Sequence, residues 1–158
     1  MVYAGPPIDL SERVDDRADT DREFRVHRSV FNDQKLFEAE MEFCFERVWN
    51  FLGHESQFPK AGDYYATYIG SQPVFLHRQE DGSIRGFLNA CSHRGAILTP
   101  LKKGNAKSLT CRFHGWSYSC SGKCIGIKNQ EGGYGKNFDR DHYNLTAIPC
   151  LEEYRGFV

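Results

Sequence analysis

Two mixed pairs of cysteine and histidine constrain this chain more than any other feature of its sequence. Cys91-Ser92-His93 has the spacing C-x-H, and Cys111-Arg112-Phe113-His114 has the spacing C-x-x-H, with Arg94 to Thr110 between them. Zinc sites of the finger type usually place two cysteines on one turn and two histidines on a helix. Here each pair brings one thiolate and one imidazole. That distribution suits short loops at the tips of strands, reaching across a centre in which one metal takes both thiolates and its neighbour both imidazoles.

The setting decides whether the six cysteines and six histidines point to disulfides or to metal. Asp9, Glu12, Arg13, Asp15, Asp16 and Arg17 scatter charge where a secretory signal needs an unbroken apolar stretch. No apolar run approaches the roughly 20 residues that span a bilayer. A cytoplasmic protein without a membrane helix is therefore expected, with thiols kept reduced and available for metal or redox chemistry. Lys and Arg total 20 against 21 for Asp and Glu, a net charge of -1, which excludes bulk attraction to nucleic acid. With 158 residues, 40% hydrophobic and 14% aromatic, the chain has material for one packed medium-sized domain.

Met1 to about Phe24 reads as a charged arm without periodicity. Asp33 is a good N-cap for a helix running to about Trp49, with Phe37, Met41, Cys44 and Val48 at helical spacing on its apolar stripe. Cys44 on that stripe is expected to be a buried, inert thiol. Beyond Pro59 the pattern changes to short β runs, Tyr64 to Ile69 and Pro73 to His77. Asp81-Gly82 then marks a hairpin to Ile84 through Leu88, and Ser121-Gly122 a second, joining Trp116–Ser119 to Cys124–Ile127. Glu131 to Lys136 lacks the pattern of a phosphate loop and reads as a flexible connection. Asp139-Arg140-Asp141-His142 alternates charge and reads as a solvated loop. His27, His54 and His77 lack ligand spacing and are assigned surface or hydrogen-bonding roles. Cys120 and Cys124 face a hairpin without a second matching pair, and Cys150 is expected to pack in the core. Trp116 and Tyr118 are candidates for an aromatic wall that keeps water from the metal.

Around the four donors the sequence reads C-S-H-R-G at Cys91 to Gly95, G-N at Gly104-Asn105, and C-R-F-H-G-W-S-Y at Cys111 to Tyr118. It resembles the signature of Rieske non-haem iron ring-hydroxylating oxygenases. His27-Arg28, the Phe37–Trp49 helix, His54-Glu55-Ser56, Asp63-Tyr64-Tyr65 and Tyr154-Arg155-Gly156-Phe157 extend the likeness to the large α subunits of benzoate/toluate/anthranilate-type dioxygenases. The resemblance implies a mainly β fold, a Rieske-type antiparallel β-sandwich with two cluster-binding loops preceded by an N-terminal α-helix. It divides the chain into an arm and helix at 1–47, packed on a catalytic domain in the family, and a Rieske 2Fe-2S domain at 48–158. In the cluster so implied, Cys91 and Cys111 hold one iron and His93 and His114 the other. Arg94, Trp116 and Tyr118 would surround them.

The same resemblance implies the wider chemistry. A ferredoxin or flavin reductase using NADH supplies electrons, which leave through His114 towards a neighbouring α subunit, commonly in an assembly with β subunits. Their destination is a mononuclear iron(II) that adds both atoms of O2 to an aromatic carboxylate. No triad for that iron is evident, and the family continues where this chain reads Gly156-Phe157-Val158, so the catalytic domain is expected beyond it. Arg112 stands where the family more often has proline. Ala96 and Phe113 replace the bridged cysteines of respiratory-chain Rieske proteins, and Trp116 replaces their serine donor, which implies a potential near the low end of the Rieske range, about -150 mV. Two alternatives stay open. A free-standing Rieske-type ferredoxin would carry electrons without the long lead-in from Arg25 to Ser56, and a zinc-stabilised interaction module would have no redox activity.

Overall fold

Alternating apolar residues along Val74-Phe75-Leu76 place side chains on opposite faces of one strand, and both faces are buried. The computed structural model describes residues 9–11, 13–15 and 24–158, and divides the chain into two units, Met1–Asn50 and Phe51–Val158. In the second unit, β3 (Asp63–Ile69), β4 (Gln72–Arg78), β5 (Ile84–Leu88) and β6 (Lys103–Asn105) form an antiparallel sheet in the order β5-β4-β3-β6. A second antiparallel sheet has the order β7 (Ser108–Thr110), β8 (Ser117–Ser119), β9 (Cys124–Gly126). Both hairpins expected at Asp81-Gly82 and Ser121-Gly122 are present, the first tightened by Asp81, whose Oδ1 accepts from the Ser83 amide at 2.9 Å.

Strand period decides how the layers meet. Phe75 and Phe87 face a core shared with Leu109, Tyr118 and Cys124 of the second sheet, so the two sheets pack as a sandwich. Val74 and Leu76 point the other way, to Leu52, Phe58, Tyr65, Ile84 and Val158. His77, on the strand face of Phe75, is fully buried; its Nε2 lies 2.9 Å from the carbonyl oxygen of Ala106, and Gln79 Nε2 lies 3.3 Å from its Nδ1. This is the hydrogen-bonded role expected of it. His54 Nδ1 accepts from the Ser56 amide at 3.3 Å, capping the turn Glu55–Gln57.

Cys150 does not pack in the core. It is exposed, because Ile148 and Leu151 take the apolar contacts of its segment. The segment read as a flexible connection contains a helical turn, α2 (Gln130–Tyr134). Asp139 Oδ2 and His142 Nδ1 lie 3.0 Å apart on exposed side chains, in keeping with a solvated loop.

In the first unit, β1 (Val14–Asp15) pairs antiparallel with β2 (Arg25–Val26). The rest of the expected arm, from Met1 to Phe24, lies largely outside the described residues. Asp33 caps α1 (Gln34–Glu40), its Oδ1 accepting from the amides of Lys35 and Leu36 at 2.9 and 3.1 Å. The helix differs from expectation in two ways. Its buried stripe is Leu36 and Ala39, whereas Phe37 is exposed. From Met41 to Glu46 it widens into a π-helical turn, whose longer hydrogen-bonding step rotates later side chains away from the α-helical stripe. Cys44 and Val48 stand exposed, as Phe37 does before that turn, contrary to the buried thiol that the periodicity implies. Among the described residues no helix is long and apolar enough to cross a membrane.

Candidate metal centre

The two donor pairs sit on loops closed in the same way. In the first, the Gly95 amide donates to the Cys91 carbonyl at 2.8 Å and the Cys91 amide to the Ala96 carbonyl at 2.8 Å. In the second, the Gly115 amide donates to the Cys111 carbonyl at 2.9 Å and the Cys111 amide to the Trp116 carbonyl at 2.7 Å. Gly95 and Gly115 close these turns at φ of 71° and 70°, a region that side chains with a Cβ disfavour. Each cysteine opens its loop. The histidine occupies the third position of one and the fourth of the other, which is the physical content of C-x-H against C-x-x-H.

Asn89 holds the base of the first loop. It is buried, accepts at Oδ1 from the amides of Leu98 and Thr99 at 3.1 and 3.0 Å, and donates to the Thr99 carbonyl at 3.2 Å. Asn144 ties the same loop to β9: its carbonyl accepts from Ser92 Oγ at 2.8 Å, and its Oδ1 from the Cys124 amide at 2.8 Å. Sequence reasoning missed both residues. Asn89, just past β5 and before the first Cys-His pair, carried the only local signal, that of a turn former.

The loops bring the four donors together by type. The Nδ1 atoms of His93 and His114 lie 3.2 Å apart, with the rings edge to face at 4.6 Å between centroids. A tetrahedral ion bound at about 2.1 Å to each nitrogen would separate them by about 3.4 Å. Cys91 and Cys111 are buried behind the rings. Burial pushes the Cys91 thiol above its ordinary pKa; the Tyr118 hydroxyl and the His93 amide oppose this, and the neighbouring Cys111 adds to it. Thiolates in such a place need a cation beside them. Among the described residues no three His, Cys, Asp or Glu side chains surround a single point, as a zinc site with four protein ligands would require. Two separate pairs are what a 2Fe-2S centre with one thiolate-bound and one imidazole-bound iron takes, so these donors fit that group.

The surroundings are aromatic and directional. Trp116, buried, stacks on His93 with centroids 4.9 Å apart and planes 7° from parallel. Tyr118, fully buried, places Oη 3.2 Å from Cys91 Sγ, and that oxygen accepts from the Ser92 amide at 3.1 Å. Expected only as part of a wall, Tyr118 also supplies a hydroxyl donor, which the argument from the missing serine at Trp116 leaves out. Partial burial lowers the proton affinity of His93, and the charges of His114 and Arg94 lower it further. Arg94 itself is exposed, and among the described residues no hydrogen bond joins it to the other donors. Tyr134, from α2, reaches His93 Nε2 at 3.1 Å. The sequence hid it after Gly132-Gly133, where glycine content argues against a helix. At the outer pole an open hollow of about 590 Å³ is lined by His93, Arg112, Phe113, His114, Lys128 and Tyr134.

The family model described as the Rieske [2Fe-2S] domain matches residues 48–152. The chain belongs to the Rieske [2Fe-2S] domain family. Among curated proteins, this Rieske chain is 45% identical over 137 residues to toluate 1,2-dioxygenase subunit alpha of Pseudomonas putida, covering 85% of the chain and 30% of that protein. It is 44% identical over 137 residues to the 2-halobenzoate 1,2-dioxygenase large subunit of Burkholderia cepacia, with coverage of 85% and 30%. Among solved structures, naphthalene 1,2-dioxygenase from Rhodococcus sp. bound to indole matches with a TM-score of 0.77 and 37% identity, covering 82% of the chain and 29% of that structure. The Rieske chain thus spans about a third of the length of these relatives.

Proposed function

We propose that this Rieske chain is the electron-entry portion of the α subunit of an aromatic ring-hydroxylating dioxygenase of the benzoate/toluate/anthranilate type. Cys91 and Cys111 hold one iron of its cluster, and His93 and His114 hold the other. When bound, the 2Fe-2S cluster takes up and gives back one electron at a time. The segregated donor set carries this reading: two buried sulfurs behind two Nδ1 atoms that face each other at 3.2 Å.

The chain's own residues give that set its character. Trp116 and Tyr118 exclude water from the inner side, and Tyr118 donates to the Cys91 sulfur. His114 is half-buried beside the exposed Phe113, at 4.1 Å between ring centroids, and presents the outer pole to a partner. In this reading a ferredoxin or flavin reductase fed by NADH would supply the electrons, and His114 would face their destination, a mononuclear iron(II) site on a neighbouring α subunit. The substrate is an aromatic carboxylate, a choice supported by the names of the toluate and 2-halobenzoate enzymes among the relatives. Residues 1–47 pack on the catalytic domain, and residues 48–158 form the electron-transfer domain. The exposed Phe37 and Phe45 of the first portion support that division. The assembly works in the cytoplasm, with or without β subunits.

Anaerobic loading with iron and sulfide tests the centre. The expected result is two irons and two sulfides per chain, and an electron paramagnetic resonance signal after dithionite reduction that shows nitrogen couplings from two imidazoles. A colourless chain that takes up one zinc ion instead would sink the reading. The oxygenase assignment is tested in the parent protein with a reductase, by O2 consumption and diol formation from toluate.

A further inference from the structure

We infer that Tyr134 is a positioning residue that fixes the outer edge of His93 and makes the two imidazoles of the centre unequal. This rests on the assignment of His93 as an iron ligand proposed above. The turn that carries Tyr134 is built against local preference. Gly132 and Gly133 are poor helix formers, yet the Gly133 amide donates to the Asn129 carbonyl at 3.0 Å and the Gly135 amide to the Glu131 carbonyl at 3.2 Å. Asn129 launches the turn at φ 55°, in the left-handed region that asparagine tolerates better than most residues with a Cβ. A Cβ at Gly132 would lie 2.7 Å from Asn129 Oδ1, so a larger residue there would displace the Asn129 side chain.

What the turn delivers is one hydroxyl to one nitrogen. Tyr134 Oη lies 3.1 Å from His93 Nε2, and the Tyr134 ring meets Trp116 edge-on at 5.7 Å and Phe138 at 4.7 Å. His93 is therefore held at Nδ1 by the side facing His114, on its flat face by Trp116, and at its outer nitrogen by Tyr134. An imidazole that gives its Nδ1 lone pair to a metal carries its proton on Nε2, so His93 donates and Tyr134 Oη accepts. Partners of this kind set the ring orientation and the basicity of a metal-bound histidine. Among the described residues no hydrogen bond reaches Nε2 of His114. One imidazole is anchored within the chain, and the other is presented to a partner.

The test uses the chain loaded with iron and sulfide, in wild-type form and as Tyr134→Phe and Tyr134→Leu. Tyr134→Phe keeps the ring contacts and removes only the acceptor. It is expected to keep full iron and sulfide content, to lose iron to a chelator about ten-fold faster, and to show a raised midpoint potential at fixed pH, because the ligand ring becomes less electron-rich. If Tyr134→Phe matches wild type in both readouts and Tyr134→Leu alone is altered, Tyr134 is packing and the inference is overturned. If wild-type chain assembles no cluster, the assignment of the centre fails and the inference falls with it.

Discussion

Replacing Tyr118 by phenylalanine removes a single hydroxyl from the wall behind Cys91, and its effect can be worked from the geometry. The Ser92 amide at 3.1 Å can only donate, so the phenol oxygen accepts from it and the phenol proton is left for Cys91 Sγ at 3.2 Å. Burial, then the neighbouring Cys91, hold the Tyr118 pKa well above its ordinary value, so the hydroxyl keeps its proton throughout the neutral range. A donor to a thiolate ligand stabilises the reduced centre more than the oxidised one, because reduction adds negative charge. If about 1 kcal/mol of the bond is gained on reduction, a one-electron couple at about 59 mV per 1.36 kcal/mol shifts by about 43 mV. Tyr118→Phe is thus expected to lower the midpoint potential by roughly 40 mV in a mediated titration followed by visible absorbance. The orphaned Ser92 amide should also cost about 1–3 kcal/mol of stability, measured by urea unfolding. An unchanged or raised potential would show that the proton does not point at the sulfur.

Asn89→Ala removes three hydrogen bonds at the base of the first ligand loop; a loss of about 3 kcal/mol is expected in urea unfolding, and a loss under 1 kcal/mol would mean water replaces the side chain. The Asp63 carboxyl is held below its usual pKa, first by the Asn105 amide group at 2.8 Å. Because the folded value is depressed, its contribution is present above the ordinary carboxylate range and is lost as pH falls through the lowered value. Asp63→Asn should flatten that acid limb in a series of urea midpoints against pH. A chromogenic disulfide reagent should modify the exposed Cys44 and Cys150 at once and leave buried Cys124 protected until unfolding; rapid labelling of Cys124 in the native chain would contradict the core described above.

The parts of the site visible in sequence are those written in short spacing. Cys91, His93, Cys111 and His114 lie within loops of a few residues, and their closing glycines stand directly beside them. Hairpins were legible for the same reason, since Asp81-Gly82 and Ser121-Gly122 are local turn chemistry. The helix was legible at its start, where Asp33 caps its own neighbours, and misread along its face. Apolar periodicity marks a stripe without telling whether any neighbour covers it, so Phe37 and Cys44 read as buried although both are exposed. Cys150 was misread because proximity to a strand does not tell which of several apolar neighbours takes the core.

The amino-acid sequence by itself determined the four candidate donors, the pairing of one cysteine with one histidine in each loop, and the family to which that pattern belongs. These follow from covalent spacing, which folding cannot change. Tertiary structure decided which residues surround the donors. Tyr134 approaches His93 across 41 positions, Tyr118 approaches Cys91 across 27, and Asn144 approaches Ser92 across 52. Contacts of that separation arise from the sandwich packing of the two sheets and from a turn that local propensity disfavours, and no period or motif records them.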